Sequence, residues 1–380
     1  MKHRIYVDNN ATSKLRPFVK AAMMEAMDIS GNPSSIHMDG QNARKLVENA
    51  RKSIISSLGT FSAELIFTSG ATEAAQLALE SAKAMGFNLA FIGAGEHPAI
   101  MAYAKQLFEN MIVIPIDANG NIDCDWLEER LAQAQNAGQK PFVAIQAANN
   151  EIGIINPLSK ISGIVKNHGA ALMVDAVQAF AKMPPQDYAG YADWLIISPH
   201  KIGGPLGVGA LLLAPGIEGA RNRPGGGQEK GLRSGTPNIP AIHGFGVASA
   251  MAGDVSDFAM KTSALRDKFE QEIMTQWPDA IIFGHAASRL PNTSCFAIPN
   301  WSAEHMVIAL DLAGVSISSG SACSSGSVKA SATILALKAP EQLAKCAVRV
   351  SFGWNNEATD VGKIIAAMQD ADMRRRNAAA

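Results

Sequence analysis

Short apolar runs alternate with segments of helical periodicity along the first two thirds of the chain. The apolar runs are typical of buried strands, and the segments between them repeat apolar residues every three or four positions. The runs begin at Glu64, Asn88, Met111, Phe142, Ala171, Trp194 and Gly209. This alternation predicts an α/β fold built on a doubly wound, mostly parallel sheet of seven strands.

The pattern changes near residue 253. Beyond it, short strands are predicted around Ile281, at 294–298 and at 348–352, with helices between them and at the end. This arrangement is typical of a smaller α+β domain. We therefore expect a large domain at 15–253 and a small domain formed by 1–14 and 254–380.

Composition narrows the classes of function. The chain has 380 residues, 47% of them hydrophobic, and a net charge of -1. Balanced charge gives no general affinity for nucleic acid or an anionic membrane. The sequence has no signal-peptide core and no apolar run approaching the roughly 20 residues of a membrane span, so the expectation is a cytoplasmic globular protein.

The four cysteines have no motif spacing, which argues against a zinc ribbon or a disulfide framework. Cys124, Cys295 and Cys346 are expected to be small buried residues. Cys323 differs, because it lies in a stretch made almost entirely of serine, glycine and alanine. That stretch is either a flexible connector with an incidental cysteine or a mobile arm whose thiol is used.

A lysine and an aspartate follow two of the predicted strands. Lys201 comes after the strand that begins at Trp194, and Asp175 ends the strand that begins at Ala171. The carboxyl ends of strands are where open α/β sheets bind ligands. A lysine alone at such a place is more often a solvated turn residue. Together with an aspartate that can pair with a pyridine nitrogen, it forms the arrangement that pyridoxal phosphate requires.

Other polar residues near strand ends could serve such a cofactor. The helix start at Gly70-Ala71-Thr72 suits a phosphate, although a capped helix is an equally common interpretation. His97 could stack on the ring and move protons, but a lone histidine after a strand is usually structural. Asn150 and Gln178 could donate to the ring oxygen or make ordinary loop hydrogen bonds.

Arg349 lies in a predicted apolar strand, where an unpaired charge would be costly. It needs a carboxylate as partner. That partner is either a structural aspartate or glutamate, or the substrate.

Segments along nearly the whole chain resemble one family, the cysteine desulfurases of the NifS/IscS type, in the class V aminotransferase group of fold type I pyridoxal phosphate enzymes. The segments share the family's order, and they lie at 6–12, 31–37, 67–74, 96–99, 149–153, 175–178, 198–201, 225–229, 233–236 and 318–326. Each alone is weak, but the set is highly specific. The resemblance implies the fold of a fold type I transferase.

The resemblance also implies roles for the residues around the cofactor. Lys201 would form the internal aldimine, Asp175 would pair with the pyridine nitrogen and His97 would stack on the ring. Gln178 and Asn150 would contact the ring oxygen and the substrate. The phosphate would be held by a larger set: Ala71, Thr72, Ser198, His200 and, from the other subunit of a homodimer, Thr236. Arg349, helped by Asn9, would bind the substrate carboxylate.

The reaction implied is conversion of L-cysteine to L-alanine, with the sulfur transferred to Cys323 as a persulfide. The sulfur would pass to an iron-sulfur scaffold or another sulfur-acceptor protein. No metal is expected as a resident, although Cys323 could be a transient iron-sulfur ligand shared with the scaffold. The alternatives are a selenocysteine lyase, another class V aminotransferase, or a degenerate binding protein without catalysis, against which the retained catalytic set argues.

Overall fold

A computed structural model describes residues 4–59, 64–221, 224–252, 254–320 and 330–379. Gly253, predicted as the domain boundary, and Cys323, predicted as the sulfur acceptor, lie outside the described residues. Within them, the helices and strands follow the predicted order closely. The boundaries 15–253 and 254–380 stay a prediction.

Thirteen strands and twelve α-helices are formed by the described residues. The strands are β1 Ile5–Tyr6, β2 Glu64–Thr68, β3 Leu89–Gly93, β4 Asn110–Ile114, β5 Pro141–Gln146, β6 Ala171–Asp175, β7 Trp194–Ile197, β8 Gly209–Leu213, β9 Ile281–Ile282, β10 Thr293–Ala297, β11 Val315–Ser316, β12 Ser318–Ser319 and β13 Ala347–Ser351. The helices are α1 Pro17–Met27, α2 Met38–Ser57, α3 Ala71–Ala84, α4 Pro98–Leu107, α5 Cys124–Asn136, α6 Leu158–Asn167, α7 Ile239–Ser249, α8 Ser256–Gln276, α9 Ala303–Leu312, α10 Ala332–Ala336, α11 Glu341–Ala344 and α12 Ala358–Ala379.

The large sheet has seven strands in the order β2-β8-β7-β6-β5-β3-β4. Strand β8 runs antiparallel to both of its neighbours. The pairs β3-β4, β3-β5, β5-β6 and β6-β7 are parallel. The mostly parallel seven-stranded sheet predicted from the sequence is therefore confirmed.

Helices cover both faces of this sheet. Along β2, Leu65 and Phe67 belong to one apolar cluster and Ile66 to the other. Residues of α2, α5, α6 and α7 pack in the first cluster, and residues of α3 and α4 pack in the second. Strands buried on both sides explain why the sequence shows continuous apolar runs rather than alternation.

The remaining strands form two smaller sheets. One is antiparallel, with the order β12-β13-β10-β9, and the other pairs β1 with β11 in parallel. Helices α8, α9 and α12 contribute to the apolar cluster beside them. In the four-stranded sheet, Arg349 lies opposite Cys295 on one side and Ser318 on the other. The predicted short strands near 281, 294 and 348 are thus confirmed.

Two further expectations concern individual residues and helices. Cys124, Cys295 and Cys346 are buried and not joined in disulfides, as predicted. None of the helices in the described ranges is both long and apolar enough to cross a membrane.

Candidate active site

A cavity of about 410 Å³ lies at the carboxyl ends of the parallel strands of the large sheet. Most of the residues predicted to form the site line it, although they come from distant parts of the chain. Those residues are Ala71, Thr72, His97, Asn150, Asp175, Gln178, Ser198, His200, Lys201 and Arg349. The parallel order of β5, β6 and β7 brings them together, because each strand delivers its following loop to the same edge.

Two predicted site residues lie elsewhere. The buried amide of Asn9 donates to the carbonyl of Ser351 at 2.9 Å and accepts from the hydroxyl of Ser13 at 2.9 Å. Its neighbour Asn10 lines the cavity instead. Thr236 is exposed and is not part of the lining in its own chain, so its predicted role across a dimer stays a prediction.

The backbone around Lys201 is held by the segment that precedes α1. Lys201 ends a 3-10 turn, Pro199–Lys201, directly after β7. The amide of Ser13 donates to the carbonyl of His200 at 2.7 Å, and the hydroxyl oxygen of Ser13 lies 3.2 Å from the carbonyl oxygen of Lys201. These contacts fix the turn, so the lysine side chain starts from a defined position at the cavity.

The end of the cavity near α3 is suited to a phosphate. Helix α3 begins at Ala71, immediately after Gly70, so its first-turn amides and positive dipole end face the loop there. Strand β8 approaches this turn closely: a Cβ on Gly209 would lie 2.6 Å from the carbonyl carbon of Gly70. Only glycine permits that approach, which holds the helix start at the sheet edge.

His200 supplies an independent indication of a ligand at this end. Its Nδ1 is buried and has no hydrogen-bond partner among the described residues. Burial, with smaller contributions from the charges of Lys201 and Lys182, lowers the pKa of His200 to about 4. The ring is therefore neutral near pH 7 and can donate one hydrogen bond. A phosphate oxygen of pyridoxal phosphate would satisfy that orphaned nitrogen, so the residues present fit this cofactor.

Asp175 is the carboxylate that lines the cavity. Oδ1 of Asp175 accepts from the amide of Val177 at 2.9 Å. Burial, and then the charge of Asp175, raises the pKa of neighbouring Glu96 well above its usual range. A hydrogen bond from the backbone amide of Gln146 opposes this rise. Burial thus favours the neutral form of Glu96. The carboxylate of Asp175 remains the group that can pair with a protonated pyridine nitrogen.

His97 is held in one orientation at the start of α4. Its Nδ1 accepts from the amide of Ala99 at 3.2 Å. Burial lowers its pKa, and Lys201 acts in the same direction while Asp175 opposes it. The neutral imidazole accordingly carries its proton on Nε2. A ring with its proton on Nε2 has the chemistry to stack on a cofactor ring and donate a hydrogen bond.

Arg349 has one of the two partners that the sequence left open, a structural carboxylate. Its Nη2 donates to Oδ1 of Asp8 at 2.7 Å, and its Nη1 donates to the carbonyl of Asn150 at 2.9 Å. Its Nε has no hydrogen-bond partner in the described part of the chain. Arg349 also lines the cavity. The structure thus identifies Asp8 as the structural carboxylate and keeps the arginine beside the place where a substrate would bind.

Sequence reasoning missed two residues at this site. The side-chain amide of Asn10 donates to the hydroxyl of Thr293 and to the carbonyl of Asn150. Lys182 is buried and donates to the side-chain oxygens of Asn10 and Gln178. A lysine in a turn after a strand is normally solvated, so no local pattern marks Lys182. Asn10 is adjacent to Asn9, and a turn sequence does not say which of two asparagines faces a cavity.

Comparison with known proteins places these features in a family. The model of the aminotransferase class-V family matches residues 5–364. The chain belongs to this family. A cysteine desulfurase from Cereibacter sphaeroides is 36% identical over 373 residues, covering 95% of this chain and 94% of the relative. A cysteine desulfurase from Trichormus azollae is 36% identical over 382 residues, with 98% and 94% covered.

Solved structures of this family agree. The X-ray structure of a NifS-like protein from Rickettsia africae is 34% identical, with a TM-score of 0.88, and the match covers 97% of this chain and 99% of that protein. The resemblance and the fold class predicted from the sequence are both confirmed.

Proposed function

We propose that this protein is a cysteine desulfurase that uses pyridoxal phosphate to convert L-cysteine to L-alanine and transfers the sulfur to Cys323 as a persulfide. The observation that carries the proposal is the meeting of Lys201, Asp175 and His97 in one cavity with Arg349. The chain's relatives named cysteine desulfurase match it over nearly its full length, which supports the same activity here.

The cofactor, when bound, supplies an electron-withdrawing ring that makes protons next to the substrate nitrogen removable. Lys201 would hold it and move those protons, and Asp175 would pair with its pyridine nitrogen. Arg349 would orient the substrate carboxylate, and His97 would stack on the ring.

Cys323 acts as the nucleophile in the sulfur transfer. Its thiolate attacks the sulfur of the substrate, and the new S–S bond forms as the C–S bond of cysteine breaks. The electron pair of that bond stays on carbon, where a proton completes alanine. The terminal sulfur remains on Cys323 until an acceptor takes it.

The partners follow from the same proposal. The protein acts as a homodimer in which Thr236 of one subunit completes the phosphate site of the other. Its acceptor is an iron-sulfur scaffold or another sulfur-carrier protein, and Cys323 shares a cluster with such a scaffold only transiently. The cytoplasmic location expected from the sequence stays a prediction.

The test is incubation of the purified protein with L-cysteine and dithiothreitol. We expect alanine and sulfide in equal amounts from the wild type. Cys323→Ser should bind the cofactor normally and release no sulfide, whereas Cys346→Ala, a matched change at a buried cysteine, should keep turnover. Full sulfide release by Cys323→Ser would contradict the proposal. Keto acid without sulfide would instead indicate an aminotransferase.

A further inference from the structure

Lys182 is a lysine buried in the protein interior beside the candidate active site. Only 2% of its surface is exposed. Its Nζ donates to Oε1 of Gln178 at 2.6 Å and to Oδ1 of Asn10 at 2.9 Å. Both acceptors are neutral amide oxygens rather than carboxylates. Burying a lysine against such partners is costly, so its presence needs an explanation beyond packing.

The backbone next to Lys182 is also strained. Ala181, which directly precedes the lysine, has φ of 53°, in the left-handed region that non-glycine residues rarely adopt. Strained backbone next to a buried polar group is found where surrounding structure holds a functional side chain in place. Lys182, the next residue, donates to Gln178 four positions earlier in the chain.

The contacts of Lys182 determine how Gln178 presents its amide. Its oxygen is held by Lys182, and one N–H of its Nε2 donates to the carbonyl of Asn10 at 2.9 Å. An amide can rotate to exchange its oxygen and nitrogen, but here an ammonium or amine donor fixes the oxygen. The remaining N–H is left for the cavity, which Gln178 lines.

Electrostatics agrees with a structural rather than a catalytic use of this amine. Burial lowers the pKa of Lys182 well below its ordinary value, and the charges of Lys201 and Arg349 act in the same direction. Lys201 and Arg349 are the charges that act on it, and Arg16, Asp187, Asp254 and Asp257 line the two further cavities that Lys182 borders. Its two hydrogen bonds to amide oxygens suit a positioning role.

We propose that Lys182 is a positioning residue that fixes the amide of Gln178 so that its remaining N–H meets the ring oxygen of the bound cofactor. This inference rests on the proposed function. A donor at that oxygen stabilises its anion and weakens its hold on the proton shared with the lysine-bound nitrogen. The pH midpoint of the cofactor's absorbance change is therefore lower with the donor than without it.

The experiment titrates the absorbance of bound pyridoxal phosphate in wild type, Lys182→Met, Gln178→Ala and the double variant. We expect Lys182→Met to raise the midpoint by about half a unit or more, as loss of a hydrogen bond to a charged group predicts. In the Gln178→Ala background the same change should add less than half of that shift, because the two residues act as one unit. Lys160→Met, at an exposed lysine of α6, should leave the midpoint unchanged.

Two results would overturn the inference: an unshifted midpoint in a folded Lys182→Met variant, or a shift of equal size with and without Gln178. Circular dichroism and melting temperature establish folding. If Lys182→Met does not fold, Lys182→Gln replaces it in the experiment, because glutamine keeps an N–H donor. The midpoint of Lys182→Gln should then lie nearer to the wild-type midpoint than the midpoint of Gln178→Ala does. A midpoint at or above that of Gln178→Ala would count against the role. Alanine and sulfide release by the wild type reports separately on the proposed function.

Discussion

Under the proposed function, Arg349 joins substrate recognition to the structure of the small sheet. Two N–H groups of its guanidinium already donate to Asp8 and Asn150. Only a planar guanidinium, with its further N–H donors, can bind these partners and a substrate carboxylate together. We expect Arg349→Lys to raise KM for L-cysteine about tenfold or more, since a hydrogen bond to a charged group contributes about 1.5–3 kcal/mol.

Steady-state kinetics with L-cysteine measures this change. Arg375→Lys is the matched control, because Arg375 binds Asp372 within α12 and should leave KM unchanged. An unaltered KM in Arg349→Lys would show that another group holds the carboxylate.

His200 should make the stability of the cofactor-free protein depend on pH. Its pKa in the folded chain, about 4, lies below its ordinary 6.5, so the unfolded state binds more protons between these values. Stability from this residue is present above pH 6.5 and is lost as pH falls toward 4. Between pH 6.5 and 5 the loss should be about 1.5 kcal/mol.

Urea denaturation at the two pH values checks this prediction. His200→Gln should lose about 1.5 kcal/mol less than the wild type over the same interval, and His305→Gln, at an exposed histidine, should behave as the wild type. Equal losses in wild type and His200→Gln would refute the assignment.

At the scale of elements, the contact between β8 and the start of α3 builds the phosphate end of the cavity. Gly209→Ala places a Cβ 2.6 Å from the backbone of Gly70, so the strand and the helix start must separate. We expect a destabilisation of about 1–3 kcal/mol, the usual cost of overpacking, together with weaker cofactor binding.

Calorimetry and titration of the cofactor-free protein with pyridoxal phosphate measure both effects. Gly362→Ala on α12 is the control, because a Cβ there meets open space. That change should be neutral or stabilising by about 0.5–1 kcal/mol. Unchanged cofactor affinity in Gly209→Ala would show that this packing contact does not affect cofactor binding.

At the scale of the whole molecule, the proposed dimer can be tested by subunit complementation. Lys201→Ala lacks the lysine that holds the cofactor, and Thr236→Asp sets a negative charge against the partner's phosphate. Each chain alone should be nearly inactive. Mixed and refolded in equal amounts, they should regain about a quarter of wild-type activity, because half of the dimers are mixed and each has one intact site.

Sedimentation should give a mass about twice the 40.1 kDa of one chain. A mixture that regains no activity, while each variant still forms dimers, would place the whole site within one subunit.

The sequence by itself determined the elements and the edge of the sheet where the site lies. Apolar runs and helical periodicity are local signals, and the loops after parallel strands must meet at one edge, so Lys201 and Asp175 could be placed together in advance. The resemblance supplied the other members of the set. The strand direction of β8 could not be read, because an apolar run carries no direction.

Only the tertiary structure decided which polar groups are buried and what satisfies them. Arg349 pairs with Asp8, 341 residues away along the chain, and Lys182 is enclosed by residues from the amino-terminal loop and from its own turn. Whether Asn9 or Asn10 faces the cavity depends on the same packing. A partner for a charge is set by contacts between distant segments, and hydrophobic periodicity describes only the face of an element, not what that face meets.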